Sequence, residues 1–196
     1  MDRRVGCRTV VVTVIGIDPG LTGAIAVLGR LDLPAITDMP TARVGLTNKV
    51  RIDHATLADI LTGQRSMGDV TLVVVERQQA MPKQGVASTF QTGYGYGLIV
   101  GMLVALRLPW IDVRAAEWQR VVGWKGGKDG SRVLARQLYS GLRADTLARV
   151  KDHGRADAIL IAHYALRHVG PPVRHERPGV PGVPPWAPYR APRSAS

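Results

Sequence analysis

Three things are scarce in this sequence, and each scarcity narrows what the chain can be. Its 196 residues include a single cysteine, Cys7. No intramolecular disulfide and no cysteine-ligated zinc site can therefore form, which fits a reducing cytoplasm. Acids are few: 15 Asp and Glu stand against 26 Lys and Arg, a formal net charge of +11. Such a surplus points to a polyanionic partner, nucleic acid before an anionic membrane. Long apolar runs are missing too, since no stretch approaches the ~20 residues of a bilayer span, and no membrane partner is expected. Residues 1–8 and the apolar run behind them have the outline of a signal peptide. That run ends in Asp18-Pro19 without a convincing cleavage site, and it reads better as a strand. No internal repeat is visible.

What the sequence does have is a buried strand that ends in an acid. Val10-Val11-Val12-Thr13-Val14-Ile15-Gly16-Ile17 runs into Asp18, and its β-branched character favours a strand over a helix. Pro19-Gly20 and Gly23 turn the chain into a second strand over residues 24–28, giving a hairpin. A third short strand is predicted over 34–39 and a helix over 52–61. Val70-Thr71-Leu72-Val73-Val74-Val75 then repeats the opening pattern and ends in Glu76. After a polar loop over 78–84, residues 86–106 read as one long helix. Its glycines suit close packing against the sheet or against a second copy of the chain. Gly93-Tyr94-Gly95-Tyr96-Gly97 lacks the spacing and setting of a dinucleotide fingerprint.

The later elements are a strand over 110–113, a helix over 115–122, a basic helix over 131–139 and a last helix over 154–168. Between the first two helices, Gly123-Trp124-Lys125-Gly126-Gly127-Lys128-Asp129-Gly130 resembles a phosphate-binding loop only superficially. Its gap is one residue short, and Asp129 stands where Ser or Thr belongs. Residues 171–196 hold eight of the thirteen prolines, four arginines and one acid. They read as a disordered cationic tail behind one domain over 9–170.

Three carboxylates stand out by position: Asp18 and Glu76 at strand ends, and Asp157 on the first turn of the last helix. His153 precedes Asp157 by four residues and shares its face if the helix starts early enough. Asp152 is one step round. Carboxylates gathered at one sheet edge repel each other, and a hard divalent cation relieves the strain. Oxygen ligands suit Mg²⁺ or Mn²⁺, and one imidazole is tolerated. Two such ions ~4 Å apart serve phosphodiester hydrolysis. With the basic charge, this chemistry points to a nuclease with no small-molecule cofactor.

Ile15-Gly16-Ile17-Asp18-Pro19-Gly20, the strand ending in Glu76, and Ala156-Asp157-Ala158 before Ile159-Leu160-Ile161-Ala162 resemble the RuvC-type Holliday junction resolvases of the RNase H-like superfamily. The segment from Met81 to Ser88 and the later Gly-Tyr-Gly are most similar to the RuvC-like proteins of bacteriophages and prophages. The resemblance spans residues 13–169. It implies an α/β fold, a mixed five-stranded sheet flanked by helices. It also implies a homodimer, packed partly through the long helix, that makes paired nicks in four-way DNA junctions with two Mg²⁺ or Mn²⁺ per site. The setting would be the cytoplasm of a bacterial or phage-infected cell.

Carried over by position, Asp18, Glu76 and Asp157 match three of the four acidic ligands. The fourth position falls on Gly154, so His153 or Asp152 must complete the set. Gln79 stands where an aromatic wedge is expected. Lys125 and Lys128 lie in the region of the family's phosphate-contacting lysines, and Lys83, Arg132 and Arg155 are further expected DNA contacts. Two rival readings follow from the residues. Asp18-Pro19-Gly20-Leu21-Thr22 also fits the Asp-x-Gly-x-Thr opening of sugar kinases and actin-like ATPases, although no second phosphate-binding hairpin is visible. Gly154 also suits a DNA-binding protein whose active site has decayed.

Overall fold

In the computed structural model, residues 12–29, 33–44, 49–67, 70–127 and 129–169 are described. The expected strand residues Val10 and Val11, Cys7, Lys128 and the 171–196 tail lie outside them. The opening strand is β1, Thr13–Asp18, and it pairs antiparallel with β2, Ala24–Gly29. β3, Ala35–Asp38, continues the meander on the far side of β2. β4, Thr41–Val44, and β5, Lys49–Ile52, form a separate two-stranded hairpin. After α1, His54–Met67, β6, Val70–Glu76, lies parallel to β1. α2, Val86–Ala105, then leads to β7, Trp110–Val113, parallel to β6. The sheet order is β3-β2-β1-β6-β7, the mixed five-stranded arrangement expected. α3, Ala115–Val122, α4, Gly130–Leu138, and α5, His153–Tyr164, follow.

Alternation along the strands divides the core into two layers. Val14, Ala24, Ala26, Leu72 and Val74 face α5 and the fully buried Trp118 of α3. Ile15, Ile17, Ile25, Val73 and Val75 face Leu57 and Leu61 of α1 and Ile99 and Leu103 of α2. α5 lies directly on the sheet. A Cβ at Gly16 would stand 2.2 Å from the Ala158 carbonyl oxygen and 2.4 Å from the Ala162 nitrogen, so only glycine admits the helix there.

Several expectations need correction. The β4–β5 hairpin was not foreseen, and Ile52 ends β5 rather than opening a helix. Its side chain is buried in the α1/α2 layer. α1 starts two residues later, where Asp53 Oδ1 accepts the N–H groups of Ala55 (3.1 Å) and Thr56 (3.3 Å), as an N-cap does. α5 begins at His153 behind a 3₁₀ turn over Val150–Asp152, which moves Asp157 beyond the first turn. It ends at Tyr164 and passes into a π-turn over Ala165–Val169. Of the α2 glycines, Gly95 packs against Ile52, whereas Cβ atoms at Gly93, Gly97 and Gly101 would meet nothing within 4 Å. Those three do not serve the sheet. Among the described residues no helix is long and apolar enough to cross a membrane.

The packing at Gly16 gives a direct test. Gly16→Ala is expected to lower stability by about 3 kcal/mol or more through overpacking. Gly63→Ala, inside α1 where an added Cβ meets nothing within 4 Å, should stabilise by up to about 1 kcal/mol through helix propensity. Urea denaturation of both variants measures the difference. Equal midpoints would show that α5 does not sit on β1 as described.

Candidate active site

The sheet register assembles the acids before any side chain is considered. Asp18 pairs with Ala24, which pairs with Asp38, and Ile17 pairs with Val75 of the parallel strand. Asp18 and Glu76 therefore end adjacent strands at the same edge. Both lie in phase with core residues of the α5 face: Val14 on β1, Leu72 and Val74 on β6. α5 crosses that face and supplies Asp157. Two strand ends and one helix thus bring their acids to the same edge of the sheet.

The electrostatics record how costly that convergence is. Burial pushes the Asp18 carboxyl up to about 6. The Gly20 N–H, which donates to Oδ1 at 3.2 Å, opposes the shift, and the charge of Asp157 adds to it. Burial and then the charge of Asp18 push Glu76 up to about 7, against an indole N–H from Trp118 at 3.1 Å. Asp157 is also raised by burial, with Ser131 and His153 opposing. Its Oδ1 is buried without a hydrogen-bond partner, a condition that native structures rarely leave unexplained. Among the described residues no three His, Cys, Asp or Glu groups stand in ligating geometry. The three acids share one field without closing on one point. An all-oxygen set with an orphaned buried oxygen and mutual repulsion fits a hard divalent cation.

The other expected ligands separate. His153 is exposed, with its Nδ1 3.3 Å from the Val150 carbonyl oxygen, and its charge is felt by both Asp18 and Asp157. Asp152 is not brought into the cluster. It is 2% exposed and accepts the Arg149 guanidinium at 2.7 and 3.0 Å and the Arg149 N–H at 2.8 Å. Burial opposes its charge, yet Arg149 holds the carboxyl below the ordinary aspartate range. Gly154 also has its reason. A Cβ there would stand 2.2 Å from the Thr22 carbonyl oxygen and 2.8 Å from the Gly23 Cα. The β1–β2 turn occupies the space that a ligand at this position would need.

Two expected DNA contacts are committed within the chain. Arg155 binds Asp38 through Nε and, at 2.6 Å, through Nη2, and it reaches the Thr146 carbonyl at 3.1 Å. Arg132 binds Asp129 and the carbonyls of Leu147 (3.3 Å) and Ala148 (3.2 Å). Lys83 and Lys125 are exposed in loops. The sequence reading did not find Trp118 or Ser131, because a tryptophan and a serine in short helices carry no site signature. Arg77 points to the face opposite Glu76, where it grips Asp112 at 2.6 and 2.8 Å. Tyr96 of α2 donates to the same carboxylate at 2.7 Å. A cavity of about 240 Å³ opens beside the Asp18 turn, lined by Thr22, Arg51, Gln78, Gln91 and Tyr94 among others.

A mixed five-stranded sheet in this order, flanked by helices, is a fold shared with RuvC. The structure of Thermus thermophilus RuvC in complex with a Holliday junction substrate superposes with a TM-score of 0.51 at 16% identity. It covers 83% of this chain and 99% of that one. T. thermophilus RuvC alone gives 0.49 at 19% identity over 79% and 95% of the two chains. The yeast mitochondrial resolvase Ydc2 gives 0.48 at 14% identity over 77% of each. In sequence, the chain is 34% identical over 94 residues to the chloroplastic Holliday junction resolvase MOC1 of Chlamydomonas reinhardtii. That segment is 47% of this chain and 10% of the relative, so the chain spans about a tenth of the curated relative's length. No protein-family model matches.

The raised carboxyls fix the sign of a pH effect. Between about pH 4 and 7 the folded chain keeps protons on Asp18 and Glu76 that the unfolded chain has released, and burial shifts Asp157 in the same direction. Stability of the cation-free chain must therefore fall as pH rises through that window. Asp38, Asp112 and Asp152 are shifted the other way and act below it. Thermal melts in EDTA should show Tm decreasing from pH 5 to 8, with a shallower slope in Asp18→Asn. A flat wild-type profile would contradict the burial of the three acids.

Proposed function

We propose that this chain is a divalent-cation-dependent endodeoxyribonuclease that cuts four-way DNA junctions by paired nicks, as a homodimer. The observation that carries the reading is the trio of buried carboxyls on β1, β6 and α5, one oxygen of which has no partner. The RuvC-type fold and the segment similar to MOC1 support a junction as the substrate. The formal charge of +11 supports DNA as the partner. Gly154 no longer favours a decayed site, since the β1–β2 turn accounts for it.

Asp18, Glu76 and Asp157 would hold the cations, with His153 completing the set. Bound Mg²⁺ or Mn²⁺ would supply activation of the attacking water and stabilisation of the leaving oxygen. The chain's own residues fix where this happens. The Gly20 N–H orients Asp18, and the Trp118 indole orients Glu76. Lys83 and Lys125 are exposed to meet phosphodiester oxygens, whereas Arg132 and Arg155 are already paired with aspartates.

The dimer reading rests on α2. Gly97 lies midway between Gly93 and Gly101, and midway between the exposed Phe90 and Val104. A two-fold axis at Gly97 sets Phe90 of one protomer against Val104 of its partner over a floor of glycines, as an isologous contact requires.

Two measurements test this reading. On a synthetic four-way junction, symmetric nicks are expected with Mg²⁺ or Mn²⁺ and none with EDTA. Asp18→Asn should lower the nicking rate by about a thousandfold and leave junction binding intact. Equal cutting of linear duplex would remove the junction from the reading, and cleavage by Asp18→Asn would remove the site. In sedimentation velocity, wild type should run as a dimer and Gly97→Leu as a folded monomer. A monomeric wild type would overturn the dimer.

A further inference from the structure

Trp118 fills the core beneath α3, and a phenylalanine would fill most of the same space. What packing does not explain is the polar atom. Trp118 has no solvent exposure, yet its Nε1–H leaves the apolar layer to donate to Glu76 Oε2 at 3.1 Å. Among the described residues it is the one hydrogen-bond donor to that carboxylate. A buried indole N–H needs an acceptor, and here the acceptor is an acid at the sheet edge. Glu76 has three side-chain torsions and two like-charged neighbours, so without a tether its carboxylate would swing away from Asp18. Asp18 is held in a comparable way, by one oxygen, through the Gly20 N–H. The two strand-end acids are thus each pinned at one oxygen by a donor belonging to the fold.

Resting on the nuclease reading above, we propose that Trp118 is a positioning residue of the cation site, holding Glu76 by Oε2 so that Oε1 is presented to the metal. The indole is the link between the hydrophobic core and the charged edge. α3 has an apolar side that seats the ring and needs no charge of its own near the acids. Donors that hold metal-ligating carboxylates matter for affinity, and their loss costs about 10- to 100-fold.

The test uses the full chain and readouts other than cleavage. The protein has four tryptophans, and Trp118→Phe assigns its indole N–H signal in a ¹⁵N spectrum. Titration with MgCl₂ should move that signal saturably while the Trp110 signal, from the opposite layer, stays in place. Calorimetric Mn²⁺ affinity should fall at least tenfold in Trp118→Phe. It should be unchanged in Leu134→Ala, which loosens the same core without touching Glu76. Should Trp118→Phe not fold, the wild-type titration still decides, with the signal assigned by elimination. A Trp118 signal indifferent to Mg²⁺, or equal Mn²⁺ affinities, would overturn the positioning role. A wild-type chain that takes neither cation would instead overturn the nuclease reading on which it rests.

Discussion

The contact on which everything else depends carries no charge. α5 lies against β1 because Gly16 has no side chain and because Ala156, Ala158 and Ala162 keep the helix face narrow. That close approach brings Asp157 to the ends of β1 and β6. A second contact of the same kind, Gly154 against Thr22 and Gly23, sets how far α5 advances toward the β1–β2 turn. The three acids repel one another, so packing has to gather them, with the His153 charge and the Gly20 and Trp118 donors offsetting part of the cost. Burial of apolar surface on both faces of the sheet opposes that repulsion. Burial, more than the charge of the neighbours, raises all three carboxyls.

The basic surplus has a more divided role than its size suggests. Arg77, Arg132, Arg143, Arg149 and Arg155 all pair with aspartates of the same chain. Most of these pairs are partly exposed and contribute little stability each. Their effect is positional: Arg155 ties β3 to α5, and Arg149 fixes the turn that launches α5 through the buried Asp152. An arginine near the acidic cluster is therefore more informative for the partner it already has than for its charge.

How much was legible in the sequence follows from how each element is stabilised. β1, β6, β7 and α3 are specified by local pattern, and their predicted bounds agree with the structure to within a few residues. Asp18 and Glu76 were visible because a carboxylate at the end of a buried strand breaks its own pattern. β4 and β5 were missed although Lys49-Val50-Arg51-Ile52 alternates, since each strand is only four residues long and most of their described residues are exposed. Ile52, placed on a helix, is buried by α2 from a strand. Asp152 and His153 looked equivalent as neighbours. They were separated by the helix start, which turns one toward Arg149 and leaves the other within the field of Asp18. Gly154 read as a lost ligand because a sequence records the missing side chain and not the turn pressed against it. Trp118 was hidden for a similar reason, since its partner is 42 residues away in the chain.

Arg77 follows Glu76 directly, and the pleat sends the two side chains to opposite faces of the sheet. Arg77 grips Asp112 on β7, and Tyr96 of α2 grips the same carboxylate. The backbone that carries Glu76 is thereby bolted to α2 through one aspartate. The long helix cannot slide along the sheet without first breaking the Tyr96 hydrogen bond to the aspartate held by Arg77, one residue beyond Glu76. A displacement of α2 would therefore act, through Tyr96 and Asp112, on the residue that follows Glu76.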